Sequence, residues 1–241
     1  MTTFADVVDP GDPKVSLREA IALANTTAEP DTIQLKADVY SLSMAGAGED
    51  GSGSGDFDIT SPLTLQGQGT TKTFIDGAYL DRRFHMIASF DVTFSQVTLG
   101  NGFGPILPGD AIFAPTANAM LNKSTVRANL ASEGGGIYAG EGNLILDHST
   151  VSNNVATGNG GGIFVGEMHL TSSTVSGNRA SGDAFAVLVL PGLAVPLLDR
   201  RRRPVLGTCR GAGPACREDP RRPRLSRQPT SVDRNAGNRA Y

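Results

Sequence analysis

The chain has 241 residues, of which 39% are hydrophobic and 6% aromatic, and its formal net charge is −3. Tryptophan is absent and 30 residues are glycine, so the composition favours many short strands and turns over large helices. No run approaches the roughly 18–20 consecutive apolar residues of a membrane span. The N-terminal stretch MTTFADVVDPGDP has neither a basic segment nor an apolar core, so it contains no recognisable signal peptide.

The net charge conceals two oppositely charged parts of the chain. Residues 1–182 hold 9 Lys or Arg against 19 Asp or Glu, whereas residues 183–241 hold 12 Arg against 5 acids. Both cysteines, Cys209 and Cys216, lie in the second part. The composition therefore excludes a disulfide framework and a cysteine metal site from residues 1–182.

The first predicted element is a short amphipathic helix within residues 16–25. Ser16 and Glu19 form an S-x-x-E capping box, which marks a helix start. Leu17, Ile21 and Ala24 share one helical face, as expected of a helix that packs on an apolar surface. We expect it to cover one end of the fold.

Short strand patterns follow the helix, and between them lies an acidic segment. The strands are predicted at 31–35, 56–59, 62–67 and 73–77. The segment EDGSGSGDFD at 49–58 is a candidate Ca²⁺ loop, but it lacks the D-x-D-x-D-G spacing, so a flexible acidic loop is the preferred interpretation. The isolated His85 predicts no metal site, and no cofactor is predicted.

Three nearly identical segments then follow at offsets of 24–27 residues, with a weaker copy, FSQVTLGNG, before them. Each segment matches L-x-x-S-T-V-x-x-N, and glycine triplets (GGGIY and GGGIF) separate the copies. The matching residues are Leu121, Ser124, Val126 and Asn129, then Leu146, Ser149, Val151 and Asn154, then Leu170, Ser173, Val175 and Asn178.

Such a period predicts a solenoid, because one copy is too small to bury its own apolar face. Coils that stack about 4.8 Å apart bring equivalent residues into columns. Val126, Val151 and Val175 should form an inward stack. Asn129, Asn154 and Asn178 should form a column at a corner, where asparagine tolerates the left-handed conformation and bonds to its neighbours. The predicted fold is an all-β, single-stranded right-handed parallel β-helix of about 24–27 residues per coil; a β-sandwich is the rival, but it requires no fixed period.

The order VSLREAIALAN, DTIQL, GSGDFDI, LTLQGQG, FIDG, DRRFHM, GGGIY and STVSNN resembles bacterial surface proteins with a CSLREA-type N-terminal region and polymorphic-outer-membrane-type β-helix repeats. The resemblance covers about residues 1–182 and is most specific in SLREAI and in the GGGIY and STVSNN pair. It implies a secreted or surface-exposed right-handed β-helix of undefined biochemical role. Val15 stands where the family motif has Cys. The implied export also predicts a signal upstream of residue 1.

The repeat pattern ends at residue 182, where the sequence becomes rich in arginine and proline. Three interpretations of 183–241 are a disordered basic tail, a C-terminal sorting signal and a frameshift that replaced further coils. The frameshift is preferred, and it predicts more GGGIY-like copies in another reading frame. The tail offers arginines without interleaved aromatic residues, so nucleic-acid binding is disfavoured.

Two function hypotheses from different classes remain. The first is a non-enzymatic, adhesin-like extracellular scaffold that binds a glycan or protein along its faces, with Tyr138, Phe164, Lys123 and His148 as candidate ligand-face residues. The second is a pectate-lyase-like carbohydrate-active enzyme, which needs converging acids in a cleft. The long segment 103–120, read as an insertion, supplies only Asp110, so no catalytic residue is predicted.

Overall fold

The chain folds into a right-handed parallel β-helix of about 5 turns, which confirms the predicted fold class. The structure is a computed structural model that describes residues 2–46, 50–104, 106–181 and 187–189.

One helix, α1 (Leu17–Ala24), precedes the coils. Ser16 Oγ accepts a hydrogen bond from the Glu19 amide at 3.1 Å, and Glu19 Oε2 accepts one from the Ser16 amide at 2.8 Å. Both halves of the capping box are thus formed, and the helix lays its apolar face on the first coils.

The strands are short, and in chain order they are β1 (Asp31–Gln34), β2 (Val39–Ser41), β3 (Phe57–Ile59), β4 (Leu63–Gln66), β5 (Phe74–Asp76), β6 (Phe84–Met86), β7 (Asp91–Ser95), β8 (Thr98–Gly100), β9 (Phe103–Gly104), β10 (Ile112–Phe113), β11 (Asn118–Asn122), β12 (Thr125–Arg127), β13 (Leu130–Ala131), β14 (Ile137–Asp147), β15 (Thr150–Ser152), β16 (Val155–Ala156), β17 (Ile163–Thr171), β18 (Thr174–Ser176), β19 (Arg179–Ala180) and β20 (Val187–Val189).

Successive coils place these strands in three parallel sheets. The largest sheet contains two rows that merge in the long strands β14 and β17: a leucine row with β1, β4, β7 and β11, and an aromatic row with β3, β6, β10 and β20. A second sheet, here called the threonine sheet, contains β2, β5, β8, β12, β15 and β18. A smaller third sheet contains β9, β13, β16 and β19.

The valine column lies in register inside the coil. Val126 pairs with Val151, and Val151 pairs with Val175, at offsets of 25 and 24 residues. Val126 and Val151 are fully buried, whereas Val175 is half-buried in the last coil that this column reaches. Repeating the same apolar residue therefore builds a continuous core out of units that could not form one alone.

In the three repeat copies, two corners share one design, in which a left-handed residue precedes an inward-pointing polar side chain. At the asparagine corner, the residues with positive φ are Ala128, Asn153 and Gly177, each directly before a column asparagine. The prediction that the column asparagines themselves adopt the left-handed conformation is wrong. The structure moves it one residue earlier, because the sharp turn there aims the asparagine side chain into the coil.

The column asparagines form a hydrogen-bonded ladder. Asn129 Nδ2 donates to Asn154 Oδ1 at 2.8 Å, and Asn154 Nδ2 donates to Asn178 Oδ1 at 3.0 Å. A parallel serine ladder occupies the other corner, where the Ser124 amide donates to Ser149 Oγ at 3.0 Å. These ladders satisfy backbone groups at the corners, where the sheets cannot.

The glycine triplets are required by the asparagine ladder. Gly134 and Gly160 adopt φ of 55° and 64°, a left-handed conformation that costs glycine little. At Gly136, a Cβ would lie 3.0 Å from Asn154 Cγ and 2.9 Å from Val126 Cγ1. The triplet therefore gives the turn its conformation and leaves room for the ladder.

Segment 103–120 is not the insertion that the sequence analysis proposed. It contains β9 and β10 and the start of β11, so it is a degenerate coil in which Gly109, with φ of 63°, takes the place of Gly134. Its GDAIF is thus a diverged copy of GGGIY.

Strand β20 pairs in register with Ile163–Val165 and lies beyond the boundary predicted at residue 182. The rest of the predicted tail lies outside the described residues.

Candidate functional site

The repeated S-T-V segments place a polar face on the outside of the threonine sheet. Because the valines point inward, their neighbours point outward, and Thr125, Thr150 and Thr174 pair in register across three coils. Arg127, Ser152 and Ser176 form the adjacent column. We call these six residues the threonine face. Its hydroxyl groups both donate and accept hydrogen bonds, at the regular spacing of stacked coils.

Lys123 and His148, two of the predicted ligand-face residues, lie in one column at the edge of the threonine face. Both are exposed and occupy the left-handed corner position, with φ of 49° and 48°. His148 Nδ1 lies 2.7 Å from Asp147 Oδ1 on the neighbouring residue. The corner thus adds a cationic group and a polar pair to the hydroxyl columns.

Tyr138 and Phe164, the other two predicted ligand-face residues, stand outside the coil in a longer column. Their neighbours Ile137 and Ile163 are fully buried, which settles which side chain of each pair faces inward. The Tyr138 and Phe164 rings stack with centroids 4.8 Å apart and an interplanar angle of 10°. Since the two ring faces contact each other and Phe164 is only 8% exposed, the pair offers a sugar little accessible ring surface.

The sequence analysis missed two members of this aromatic column, Phe113 and His85. Phe113 lies 5.4 Å from the Tyr138 ring and 5.1 Å from the His85 ring, centroid to centroid. The Arg82 guanidinium sits over the Phe113 ring at 5.0 Å. The signal that could have found Phe113 is its position in GDAIF, which matches Tyr138 in GGGIY.

A cluster of acidic residues, Arg82 and His85 lies at the N-terminal end of the aromatic column. Asp58 pairs in register with His85, and Arg82 forms a buried ion pair with Asp56. Burial raises the pKa of Asp56 to about 6, although the hydrogen bond and charge of Arg82 oppose the shift. Residues 50–58 of the acidic segment fold back onto the coil, where Asp50 stays exposed while Asp56 and Asp58 are buried.

A second buried charged group lies where the asparagine ladder begins. Arg83 is fully buried; it donates from Nη1 to the Gly100 carbonyl at 2.6 Å and from Nη2 to Asn129 Oδ1. Asp110 is also fully buried, and its Oδ2 accepts the Leu130 amide at 3.2 Å. Asp110, the acid that the enzyme hypothesis considered in segment 103–120, thus faces the interior.

We expect Asp110 to make stability depend on pH. Burial raises its pKa from 3.8 to about 7; the charge of Arg83 opposes the shift and Asp81 adds to it. Between those values the native chain holds a proton that the unfolded chain has released, so the free energy of unfolding falls as the pH rises through this window. Urea unfolding at about pH 5 and about pH 8 should show this fall, and Asp110→Asn should reduce it, with the remainder coming from Asp56, whose pKa burial raises to about 6. The exposed Glu29→Gln should keep the full dependence; an unchanged slope in Asp110→Asn would contradict the assignment.

Comparison of the chain with known proteins found no match. No protein-family model matches the chain, and neither the curated proteins nor the solved structures provide a match. The resemblance to CSLREA-type surface proteins therefore stays a prediction. Among the described residues, no helix is long and apolar enough to cross a membrane.

Proposed function

We propose that this chain is a non-enzymatic, adhesin-like scaffold that acts outside the cell and binds an extended glycan along the threonine face. The observation that carries the proposal is the register of Thr125, Thr150 and Thr174, which repeats one hydroxyl-bearing position across three coils. A glycan offers hydroxyl groups along its length, so it matches a face that presents hydrogen-bonding groups at a regular spacing. The extracellular location rests on the resemblance of the sequence to surface proteins.

The chemistry of the threonine face favours a glycan over a protein partner. Protein interfaces bury a core of aromatic and other large apolar residues. The exposed large apolar side chains of the described residues lie elsewhere, for example at Leu23, Tyr79 and Ile106. The threonine face instead carries five small hydroxyl side chains and Arg127, with Lys123 at its edge. A polyhydroxyl ligand, neutral or acidic, is therefore the preferred occupant.

A pectate-lyase-like enzyme is the second candidate, and one observation favours it. Carboxyl groups with perturbed pKa values concentrate at active sites, and Asp56 is such a group with Asp58 and His85 close by. However, Asp56 and Asp58 are 1% and 0% exposed, so a polymer cannot reach either carboxylate. We therefore prefer the scaffold.

The test is binding of the full chain to an array of extracellular polysaccharides. Thr150→Arg puts a long charged side chain in the middle of the threonine face, and we expect it to weaken glycan binding by at least about tenfold, roughly the loss of one good polar contact. The matched control is Thr93→Arg, because Thr93 is a half-buried strand threonine on the outer side of the leucine row. Circular dichroism should show an intact fold in both variants.

Three outcomes would contradict the proposal. Equal loss of binding in Thr150→Arg and Thr93→Arg would place the ligand elsewhere. Absence of retention by every polysaccharide would remove the glycan as the partner. Release of unsaturated fragments from polygalacturonate or alginate, with or without Ca²⁺, would identify the enzyme instead.

A further inference from the structure

Three potential metal-ligand atoms converge where the acidic segment meets the aromatic column. Asp58 on β3 and His85 on β6 are register partners on adjacent coils, and Asp50 approaches them from the preceding loop. His85 Nδ1 lies 3.3 Å from Asp58 Oδ1 and 3.5 Å from Asp50 Oδ1. All three ligand atoms lie within 4.8 Å of one another. His85 is isolated in the sequence, and the fold brings it next to these two carboxylates.

Asp58 supplies an unpartnered buried oxygen that points into this cluster. Its side chain is 0% exposed, and its Oδ1 has no hydrogen-bond partner among the described residues. Its other oxygen accepts the Ser52 amide at 2.8 Å, and Ser52 Oγ bonds to the Asp58 backbone, so the carboxylate is held in place. A buried carboxylate oxygen without a partner carries a large free-energy penalty.

His85 Nδ1, which lies 3.3 Å from Asp58 Oδ1, does not relieve the cost of burying that oxygen when it acts as an acceptor. The Arg82 guanidinium can only donate, so in the tautomer that carries its proton on Nε2, His85 Nδ1 accepts from Arg82 at 3.3 Å. Asp58 Oδ1, Asp50 Oδ1 and His85 Nδ1 therefore present three lone pairs to one small volume. Three acceptors at such distances repel one another unless a positive charge lies between them.

We infer that Asp50, Asp58 and His85 form a binding site for a divalent transition-metal ion of the Zn²⁺ type. An ion about 2.1 Å from each ligand atom in tetrahedral geometry separates those atoms by roughly 3.4 Å, which the 3.3 and 3.5 Å distances match. The imidazole nitrogen decides the kind of ion, because Ca²⁺ takes oxygen ligands whereas imidazole suits Zn²⁺ and its neighbours. Water completes the coordination on the exposed side, where Asp50 lies.

The metal would join the acidic segment to two successive coils. Asp50 and Asp58 belong to the loop and strand that start one coil, and His85 belongs to the next. Binding requires Arg82 to give up its long contact with His85 Nδ1. Arg82 keeps its ion pair with Asp56 and its position over the Phe113 ring, so it has an alternative set of partners.

The experiment is calorimetric titration of the chelator-treated full chain with ZnCl₂, with CaCl₂ and MgCl₂ as separate arms. We expect one equivalent of Zn²⁺ per chain and no saturable uptake of the other two ions. His85→Gln should weaken Zn²⁺ binding by at least about tenfold, since it removes one of three protein ligands. His148→Gln is the matched control, because His148 also lies beside a carboxylate, Asp147, at 2.7 Å but has no third ligand among the residues that the structure describes.

A second measurement keeps the test independent of folding defects. Co²⁺ replaces Zn²⁺ in such sites and gives a visible absorption spectrum that reports its ligands, and this band should disappear in His85→Gln while circular dichroism shows a folded chain. Equal Zn²⁺ affinity in His85→Gln and the unaltered chain overturns the inference. So does loss of binding in His148→Gln alone, or a chain that takes up Ca²⁺ but not Zn²⁺. None of these results bears on glycan binding at the threonine face.

Discussion

Replacing Arg18 with alanine should destabilise the N-terminal coils by about 3–5 kcal/mol, the usual cost of removing one partner from a buried ion pair. Arg18 is 0% exposed although it lies on a helix that begins at Leu17. Its Nε and Nη2 bond to the two carboxylate oxygens of Asp6 at 2.7 and 3.1 Å. Urea unfolding followed by circular dichroism measures the loss.

The same guanidinium also holds the acidic segment in place. It donates to the carbonyls of Ser52, Ser54, Gly55 and Asp56 at distances from 2.8 to 3.2 Å. Removing it therefore takes one donor from each of these four carbonyls and two from the Asp6 carboxylate. Burial opposes ionisation of Asp6, but hydrogen bonds from Arg18 and from the Ser43 and Met44 amides outweigh it, so the pKa of Asp6 lies below its usual value.

Two comparisons make the Arg18 prediction specific. Arg18→Lys keeps the charge but loses the planar, multiply donating head group, so an intermediate loss is expected. Arg179→Ala removes an exposed arginine from the other end of the coil and should cost less than about 0.5 kcal/mol. A similar loss in Arg18→Ala and Arg179→Ala would show that the buried network contributes little.

Replacing Asn154 with alanine should cost about 3–5 kcal/mol, because it interrupts the asparagine ladder at its centre and leaves several buried groups unpaired, each worth about 1–3 kcal/mol. Asn154 Oδ1 accepts the Asn129 amide at 3.1 Å and Asn129 Nδ2 at 2.8 Å. Its Nδ2 donates to the Val126 carbonyl at 3.2 Å and to Asn178 Oδ1 at 3.0 Å. Urea unfolding again provides the measurement.

The neighbouring asparagine provides the control for Asn154. Asn153 is exposed and adopts φ of 55°, so Asn153→Gly keeps the left-handed conformation and should change stability by only a few tenths of a kcal/mol. Asn154→Asp should fall close to Asn154→Ala, because a carboxylate cannot donate to Val126 or Asn178. If Asn153→Gly proves as damaging as Asn154→Ala, the corner turn matters more than the ladder.

The helix and the repeated strands were predictable because their signals are local. The capping box of Ser16 and Glu19 and the recurring valines each follow from patterns within a few residues, or from one period. The coil around 103–120 was not recognised, because its GDAIF differs from GGGIY at three positions. Backbone geometry rather than residue identity makes the two equivalent, since Gly109 and Gly134 share the same left-handed conformation.

The buried charges were not predictable in the same way. From residue type alone, Arg18 and Arg83 are expected at the surface, because charged side chains are rarely buried without partners. Their partners come from distant parts of the chain: Asp6 and the 52–56 carbonyls for Arg18, and Asn129 for Arg83. A sequence pattern reports the period of a strand or helix, and it carries no information about which loop crosses which coil.

The sequence by itself determined that this chain stacks into coils, because one small unit repeated at a fixed period can bury its apolar face only against its own copies. It also determined which residues share the valine and asparagine columns. Only the tertiary structure decided which polar atoms meet across coils. The cluster of Asp50, Asp58 and His85 and the column from His85 to Phe164 join residues of dissimilar type. Stacking brings them together through the register that the buried apolar positions set, whichever side chains face outward between those positions.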